Sequence, residues 1–171
     1  MTVKGLGQVQ LLLLDVDGVL TDGSIVYDDN GCQTKVFNVR DGLGLRLLMD
    51  AGIGVGIVTG RTGQALKHRC NNLGIDLIFD GVSDKAALVA QIGQRTGIAA
   101  EAMAYVGDDL PDLPIMTRVG LAVAVADAHP LVTTQADLVT RAPGGRGAVR
   151  EICEGILKAR GLWEQIEKRY L

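Results

Sequence analysis

Six short apolar segments recur along the chain, with stretches of helical length between most of them. The segments are residues 9–16, 53–58, 75–79, 103–106, 121–126 and 137–140. Their apolar residues are nearly continuous, which is typical of strands buried on both faces of a parallel sheet. The predicted helices are residues 41–51, 62–73, 84–95, 111–118 and 147–160. This order predicts an α/β fold with a doubly wound, Rossmann-like parallel sheet and right-handed crossovers.

The composition favours one compact unit over a disordered chain. Hydrophobic residues make up 47% of the 171 residues and charged residues 22%, which is enough to bury a core. This length predicts a single domain over residues 1–171, with no room for a large second domain. The net charge of −3 argues against a general nucleic-acid-binding protein, because such proteins present a basic surface.

Three cysteines lie far apart in the sequence, at Cys32, Cys70 and Cys153. They form no CxxC or Cys/His pair, so they predict neither a zinc site nor a disulfide framework but free thiols of a reducing compartment. The N-terminal apolar run ends at Asp15, well short of the roughly 20 residues that span a bilayer, and nothing resembles a targeting segment. We therefore expect a cytoplasmic protein that does not contact a membrane.

Residues 24–38 interrupt the alternation of strands and helices. Two β-prone runs flank the sequence Asp28-Asp29-Asn30-Gly31, and Asn-Gly between such runs is a strong signal for a β-hairpin. The hairpin is expected to project from the exit of the first strand, above the carboxyl edge of the sheet.

Polar residues suited to chemistry follow four of the predicted strands. They are Asp15 and Asp17, then Thr59 and Arg61, then Lys85, and finally Asp108, Asp109 and Asp112. Taken singly, each group has a plain structural interpretation, such as a solvated turn, a helix cap or a surface charge; Ser83, for instance, is expected to cap the helix over 84–95. Because the carboxyl ends of parallel strands meet at one edge, the four groups together predict one site. Its clustered carboxylates predict a hard cation with oxygen ligands, such as Mg²⁺.

Carboxylates, Mg²⁺, a hydroxyl and a lysine around one point are typical of phosphoryl transfer. The chain has no GxxxxGK[ST] loop, and the spacing of Gly52, Gly54 and Gly56 does not match GxGxxG, which disfavours a dinucleotide site. His68 and His129 have no evident triad partner, and a nucleophile elbow is missing, so a Ser/His/Asp hydrolase is excluded.

The sequences DVDGVLTDG (15–23), VTGR (58–61), Lys85 and GDDLPD (107–112) resemble, in this order, the four motifs of the haloacid dehalogenase superfamily of aspartate-nucleophile phosphohydrolases. Residues 37–42, 123–130 and 144–151 are similar to the branch of that superfamily without a large cap domain. The resemblance implies that Asp15 is the nucleophile and becomes a phosphoaspartate, while Asp17 is the general acid and then the base. It also implies that Thr59 and Lys85 hold the phosphoryl oxygens.

The same resemblance implies a Mg²⁺ ion bound by Asp15, by Asp108 and by the backbone carbonyl of Asp17. Asp109 and Asp112 would lie nearby, either binding the metal through water or orienting Lys85. The implied substrate is an eight-carbon acidic sugar phosphate of lipopolysaccharide biosynthesis, 3-deoxy-D-manno-octulosonate 8-phosphate (KDO 8-phosphate). A nine-carbon sialic-acid-type phosphate is the alternative. The implied substrate-binding residues are Asp17, Lys85 and the loop residues Asn38, Val39, Arg40, Asp41 and Gly42. Because this substrate carries a phosphate and a carboxylate, we expect Arg46, Arg61 and Arg69 to supply further positive charge; Arg46 lies in an otherwise apolar stretch, where an arginine needs a partner.

The resemblance further implies a homotetramer whose neighbouring subunits cover one another's sites. The C-terminal tail, residues 161–171, is amphipathic, and two interpretations stay open: it reaches a neighbour's site, or it docks on its own domain. A phosphoacceptor receiver module of signalling shares the sheet, the aspartate, Mg²⁺, Thr and Lys. The order of the motifs opposes that alternative, because here the DxD pair lies on the first strand and the second acidic cluster follows the fourth.

Overall fold

A computed structural model describes residues 5–171, so the first four residues of the domain predicted over 1–171 lie outside the described part. The strands, in chain order, are β1 Leu11–Leu14, β2 Val26–Tyr27, β3 Gln33–Thr34, β4 Gly54–Val58, β5 Leu77–Phe79, β6 Met103–Gly107, β7 Leu121–Ala124 and β8 Leu138–Val139. The helices are α1 Val39–Asp50, α2 Gln64–Leu73, α3 Leu88–Thr96, α4 Leu113–Met116, α5 Pro130–Gln135, α6 Ala148–Ala159 and α7 Trp163–Glu167. None of the helices in the described part is long and apolar enough to cross a membrane.

Six strands form one parallel sheet in the order β5-β4-β1-β6-β7-β8, which confirms the predicted doubly wound fold. Strand β1 is central, and its last residue, Leu14, lies beside Ile57 of β4 and Val106 of β6. The residues that directly follow these three strands therefore emerge side by side at one edge of the sheet.

The two faces of the sheet are covered by different apolar clusters. Leu12 and Leu14 point into a cluster shared with α1, α2 and α6, whereas Leu11 and Leu13 point into a second cluster with α3 and α4. Successive residues of a strand face opposite sides, so a strand between two covered faces must be apolar throughout. One sheet with two covered faces supports the proposal of a single domain.

The predicted hairpin is present, but its two strands are much shorter than the β-prone runs in residues 24–38. β2 and β3 are two residues each, antiparallel, with Val26 opposite Thr34 and Tyr27 opposite Gln33. The turn closes with a hydrogen bond from Asp28 N to Cys32 O of 3.1 Å, and Gly31 adopts a φ of 76°, a left-handed conformation that favours glycine.

Two predicted helices differ from the structure at their N-terminal ends. The helix expected from residue 84 begins at Leu88, and the prediction that Ser83 caps it is wrong. Asp84 accepts hydrogen bonds from Ala86 N and Ala87 N, at 2.9 and 3.2 Å, and so holds residues 85–87 in a turn instead. The helix expected over 111–118 is a 3₁₀ turn, Leu110–Asp112, followed by the one-turn helix α4. The prolines at 111 and 114 explain this split, since proline belongs in a first turn.

Helices α5 and α7 were not predicted. Helix α7 lies within the C-terminal tail, and its Ile166 is buried against the core. Its Trp163 ring lies 5.6 Å from the Arg150 guanidinium and 5.0 Å from the Lys158 ammonium, both on α6. The first part of the tail thus packs on its own chain. Its last residues, Tyr170 and Leu171, are exposed.

Asp41 joins helix α1 to helix α6. Helix α6 starts after Gly147, which has no side chain to cap it, and the buried Asp41 carboxylate accepts hydrogen bonds from Gly147 N at 3.3 Å and Arg150 N at 2.8 Å. Burial raises the pKa of Asp41 above its usual value, although these two amides oppose the shift. Asp41 therefore supplies from a neighbouring helix the cap that the α6 sequence lacks.

Replacing Asp41 with alanine should lower the free energy of unfolding by about 2–3 kcal/mol, because it leaves the first amides of α6 buried and unpaired. Urea denaturation at one protein concentration measures this. Asp50→Ala, at the exposed end of the same helix, is the control and should stay within about 0.5 kcal/mol of the original protein. Equal midpoints for the two variants would show that Asp41 does not anchor α6.

Candidate active site

A cavity of about 570 Å³ opens at the carboxyl edge of the sheet. It is lined by residues from all four predicted strand ends: Asp15, Asp17, Thr59, Arg61, Lys85, Asp108, Asp109 and Asp112. The strand order explains this convergence, since β4, β1 and β6 are adjacent and their exits open into the same space.

The Lys85 ammonium lies at the centre of a buried polar cluster. Its Nζ donates to Asp15 Oδ1 at 2.7 Å, to Asp112 Oδ1 at 2.6 Å and to the Tyr105 hydroxyl at 3.0 Å, and the lysine is only 8% exposed. Burial alone would lower the pKa of Lys85, but the charges of Asp15 and Asp112 outweigh it and raise the pKa above its usual value. Lys85 is therefore a fixed cation, with a partner for each of its three protons.

Asp112 orients the cluster rather than facing an open ligand position. Its Oδ1 accepts from Lys85 and, at 2.6 Å, from the Tyr105 hydroxyl, and its Oδ2 accepts from Asp108 N at 2.9 Å and Asp109 N at 3.2 Å. With both oxygens engaged, Asp112 fits the predicted alternative of orienting Lys85. Asp109 is exposed and caps the following 3₁₀ turn through Leu110 N at 2.8 Å.

Asp15 and Asp108 are held close together without enough positive charge between them. Burial raises the pKa of Asp15 to about 6; Lys85 partly offsets this, and Asp112 adds to it. Burial, followed by the charges of Asp112 and Asp15, raises the pKa of Asp108 to about 7. Carboxylate oxygens of Asp15, Asp108 and Asp112 lie within 4.8 Å of one another. Such a cluster is suited to a divalent cation, which would relieve the repulsion.

Gly18 allows Asp108 to approach the loop that follows β1. A Cβ at this position would lie 2.0 Å from Asp108 Oδ2, and Gly18 has a φ of 93°. Any side chain here would displace the carboxylate, so glycine is required both by the backbone conformation and by the space. The residues present therefore fit a Mg²⁺ ion held by Asp15 and Asp108, with the Asp17 carbonyl as the third predicted protein ligand.

Thr59 lies buried at the end of β4 and lines the cavity. Its backbone is fixed by hydrogen bonds from Thr59 N to Phe79 O at 2.9 Å and from Val82 N to Thr59 O at 3.0 Å. Its Oγ1 accepts from Arg61 N at 3.3 Å, which leaves the hydroxyl proton free to donate to an anion in the cavity.

The hairpin contacts Asp17, and this contact was not predicted from the sequence. Lys35 donates to Asp17 Oδ1, and Arg61 Nε lies 3.9 Å from Asp17 Oδ2 while its Nη2 donates to the Tyr27 hydroxyl at 3.0 Å. Lys35, Tyr27 and the strand residue Tyr105 were all missed as site residues. Tyr105 is the only residue with a hydrogen-bonding side chain in the apolar segment 103–106, which is a weak sequence signal for a functional role. Lys35 has no such signal, because a lysine on a hairpin is usually a solvent-exposed charge.

Seven predicted substrate-binding residues lie outside this cavity in the described chain: Asn38, Val39, Arg40, Asp41, Gly42, Arg46 and Arg69. They occupy α1, its N-cap and the facing side of α2. Arg69 donates to Asn38 O at 3.1 Å, and Gly42 makes room for it, since a Cβ there would lie 2.2 Å from Arg69 Nη2. Arg46 donates to the Asn72 carbonyl near the end of α2, where the helix dipole favours a cation.

The two histidines also lie outside the cavity. His129 Nδ1 accepts from Leu131 N at 3.1 Å and caps α5, while His68 is exposed on α2. Neither has the geometry of a catalytic base for this site.

Comparisons with known proteins agree with this geometry. Residues 77–152 match the haloacid dehalogenase-like hydrolase family. The chain is 52% identical over 153 residues to the 3-deoxy-D-manno-octulosonate 8-phosphate phosphatase of Escherichia coli K12, covering 90% of this chain and 81% of that protein.

Solved structures give the same result. The crystal structure of 3-deoxy-D-manno-octulosonate 8-phosphate phosphatase from Yersinia pestis has a TM-score of 0.93 and 47% identity, covering 95% of this chain and 88% of that one. The corresponding phosphatase of Moraxella catarrhalis, in complex with magnesium, phosphate and KDO, has a TM-score of 0.96 and 38% identity, covering 98% and 97%. With such similarity over nearly its full length, the chain belongs to the haloacid dehalogenase-like hydrolases, in the group that contains these phosphatases.

Proposed function

We propose that the protein is a Mg²⁺-dependent phosphatase that hydrolyses KDO 8-phosphate to KDO and phosphate, a step in lipopolysaccharide biosynthesis. The observation that carries the proposal is the buried Lys85–Asp15 pair, which opens with Asp108 and Asp17 into one cavity. A phosphoryl group in this cavity would be surrounded by the proposed nucleophile Asp15, the proposed general acid Asp17, the Lys85 ammonium and a Mg²⁺ ion held by Asp15 and Asp108. The choice of KDO 8-phosphate rests on relatives of that activity at 52% and 47% identity.

The reaction proceeds in two steps at Asp15. The Asp15 carboxylate attacks phosphorus, the bond from phosphorus to the sugar oxygen breaks, and Asp17 gives its proton to that oxygen. Asp17 then takes a proton from water, which attacks the phosphoaspartate and releases phosphate. The Lys85 ammonium, whose Nζ lies 2.7 Å from Asp15 Oδ1, offsets the repulsion between the nucleophile and an anionic ester.

Two further residues are proposed to contact the substrate. The Thr59 hydroxyl would donate to an oxygen of the transferred phosphoryl group, and Arg61, half-exposed at the rim of the cavity, would contact the sugar. Mg²⁺, when bound by Asp15, Asp108 and the Asp17 carbonyl, supplies charge neutralisation for the phosphoryl oxygens. Asp109 and Asp112 support this arrangement through the loop after β6.

The remaining substrate-binding residues are proposed to act across a subunit boundary in a homotetramer. Asn38, Val39, Arg40, Arg46 and Arg69 lie outside the cavity of their own chain, so their proposed role requires a neighbour's site. Asp41 and Gly42 are buried, so they would support this surface by holding α1 in place. Exposed apolar side chains on and beside the hairpin support such an assembly, because a patch of this kind is unusual on a monomer. They are Ile25, Val26, Tyr27, Val36 and Val39.

The proposal includes a cytoplasmic location, supported by the three free cysteines. Phosphate release from KDO 8-phosphate, a nine-carbon sialic-acid-type phosphate and a small ester, with and without Mg²⁺, tests the function as a whole. Multiple turnovers that require Mg²⁺ and favour KDO 8-phosphate support it. A single phosphorylation without turnover would contradict it.

Asp15→Asn should reduce turnover to background and leave the fold intact, because the amide keeps the shape of the carboxylate but is a poor nucleophile. Asp17→Asn should lower kcat on the sugar phosphate by roughly 10²- to 10⁴-fold, the contribution of a general acid and base. Asp76→Asn, an exposed acid, is the control for lost charge. Steady-state phosphate release measures all three, and substantial activity in Asp15→Asn would remove that residue from the nucleophile's role.

The affinity for Mg²⁺ should rise with pH. The raised pKa values of Asp15, about 6, and Asp108, about 7, mean that protons compete with the metal for both carboxylates below neutral pH. In the metal-free protein, the folded state binds more protons than the unfolded chain, whose carboxyl pKa is near 3.8. The contribution of these two carboxyl groups to stability therefore falls as pH rises from 3.8 through about 7.

Thermal unfolding with EDTA or Mg²⁺, across this pH range, checks both statements. The increase in Tm caused by Mg²⁺ should be small near pH 5 and large above about pH 7. Asp108→Asn should lose the increase at every pH. An increase independent of pH in the unaltered protein would contradict the proposed ligands.

Val36→Asp should shift the assembly to smaller species and lower activity on KDO 8-phosphate. Val36 is 73% exposed on the hairpin, so the substitution puts charge into the proposed interface without disturbing the core. Leu131→Asp, an exposed apolar residue on α5, is the matched control. Light scattering and phosphate release at the same concentration measure the result, and an unaltered protein that is monomeric and fully active would refute the assembly.

A further inference from the structure

The hairpin turns one face towards the active site and the other towards solvent. Gln33, Lys35 and Phe37 are partly buried, whereas Thr34 and Val36 between them are exposed, as expected when alternate residues of an extended chain face opposite sides. The Lys35 side chain is 3% exposed, a rare position for a lysine. Burying an ammonium group is costly unless it is paired, and its partner is the Asp17 carboxylate.

The two oxygens of Asp17 have different surroundings. Oδ1 accepts the hydrogen bond from Lys35, whereas Oδ2 is buried and has no hydrogen-bond partner among the described residues. Arg61 Nε lies 3.9 Å from Oδ2, beyond hydrogen-bond distance, and the Arg61 guanidinium donates instead to the Tyr27 hydroxyl. A buried carboxylate oxygen without a partner is costly unless a substrate group completes it.

We propose that Lys35 is a positioning residue that fixes the Asp17 carboxylate so that Oδ2 is the atom that exchanges the proton during catalysis. In the first step the phosphorus–oxygen bond to the leaving group breaks and its electron pair stays on that oxygen. The oxygen takes the proton from Asp17 Oδ2 while the bond from Asp15 to phosphorus forms. Lys35 keeps Oδ1 occupied, so the carboxylate does not rotate away from this alignment. The inference rests on the proposed phosphatase activity and deepens it.

The hairpin thereby acquires a role within its own subunit. The hairpin brings two side chains to the general acid and base, Lys35 from the residue after β3 directly and Tyr27 of β2 through Arg61. A lysine that only anchored the hairpin would affect all substrates alike. A lysine that aligns a general acid affects an ester more strongly when its leaving group needs a proton more.

The leaving-group dependence of kcat/KM separates these two roles. The substrates are a series of aryl phosphates, from 4-nitrophenyl phosphate, whose nitrophenolate leaves without a proton, to phenyl phosphate, whose phenolate is more basic. KDO 8-phosphate is measured beside them, all at saturating Mg²⁺. Lys35→Met keeps the apolar stem and removes the charge, and Lys35→Arg keeps the charge. Lys67→Met, at an exposed lysine on α2, is the matched control.

Lys35→Met should lose roughly 10²-fold on KDO 8-phosphate and little on 4-nitrophenyl phosphate, so that kcat/KM falls more steeply as the leaving group becomes more basic. Lys35→Arg should restore most of the loss, and Lys67→Met should match the unaltered protein. An equal loss on every ester, or no loss at all, would overturn the role assigned to Lys35. Failure of the proposed substrate is distinguishable, because the unaltered protein would then hydrolyse the aryl esters but not KDO 8-phosphate.

Discussion

The buried ammonium of Lys85 is the interaction on which the rest of the site depends. It has three donors and three partners, and two of these partners are carboxylates that would be unstable as ions in the same space without it. Removing Lys85 would leave Asp15 and Asp112 as uncompensated buried charges. The lysine therefore sets the position of the nucleophile and, through Asp112, of the loop that carries Asp108.

The backbone around this ion pair must come unusually close together, and glycine makes that possible. Gly144 lies against the carbonyl of Gly18, where a Cβ would be 1.7 Å from the oxygen, and Gly145 N donates to Val19 O at 2.9 Å. The loop before α6 thus packs against the loop that follows β1 and carries Asp15 and Asp17. Asp41 caps the same helix from α1, so the core helices and the catalytic loop form one connected structure.

The hairpin links this site to its surroundings in two ways. Its inner face carries Lys35, which contacts the proposed general acid and base Asp17, and exposed apolar residues on and beside the hairpin, such as Val36, are proposed to meet other subunits. A small sheet of two short strands is marginal in water by itself. The buried ion pair between Lys35 and Asp17 and the packing of Phe37 against the core fix the hairpin beside Asp17, which lines the cavity.

The sequence by itself determined the fold class, all six strands of the main sheet and the four groups of polar residues at their ends, because apolar period and strand-end chemistry are local properties. It missed helices α5 and α7 and misplaced the start of α3, because the Asp84 side chain accepts hydrogen bonds from Ala86 N and Ala87 N and holds these residues in a turn. Only the tertiary structure decided the order β5-β4-β1-β6-β7-β8, the pairing of Lys35 with Asp17, and the use of Tyr105 and Asp112 to hold Lys85. It also left Arg40, Arg46 and Arg69, which were expected to bind the substrate, outside the cavity of their own chain. Such pairings join residues that are distant in the sequence, and the desolvation cost that selects them exists only once the chain has folded and buried them.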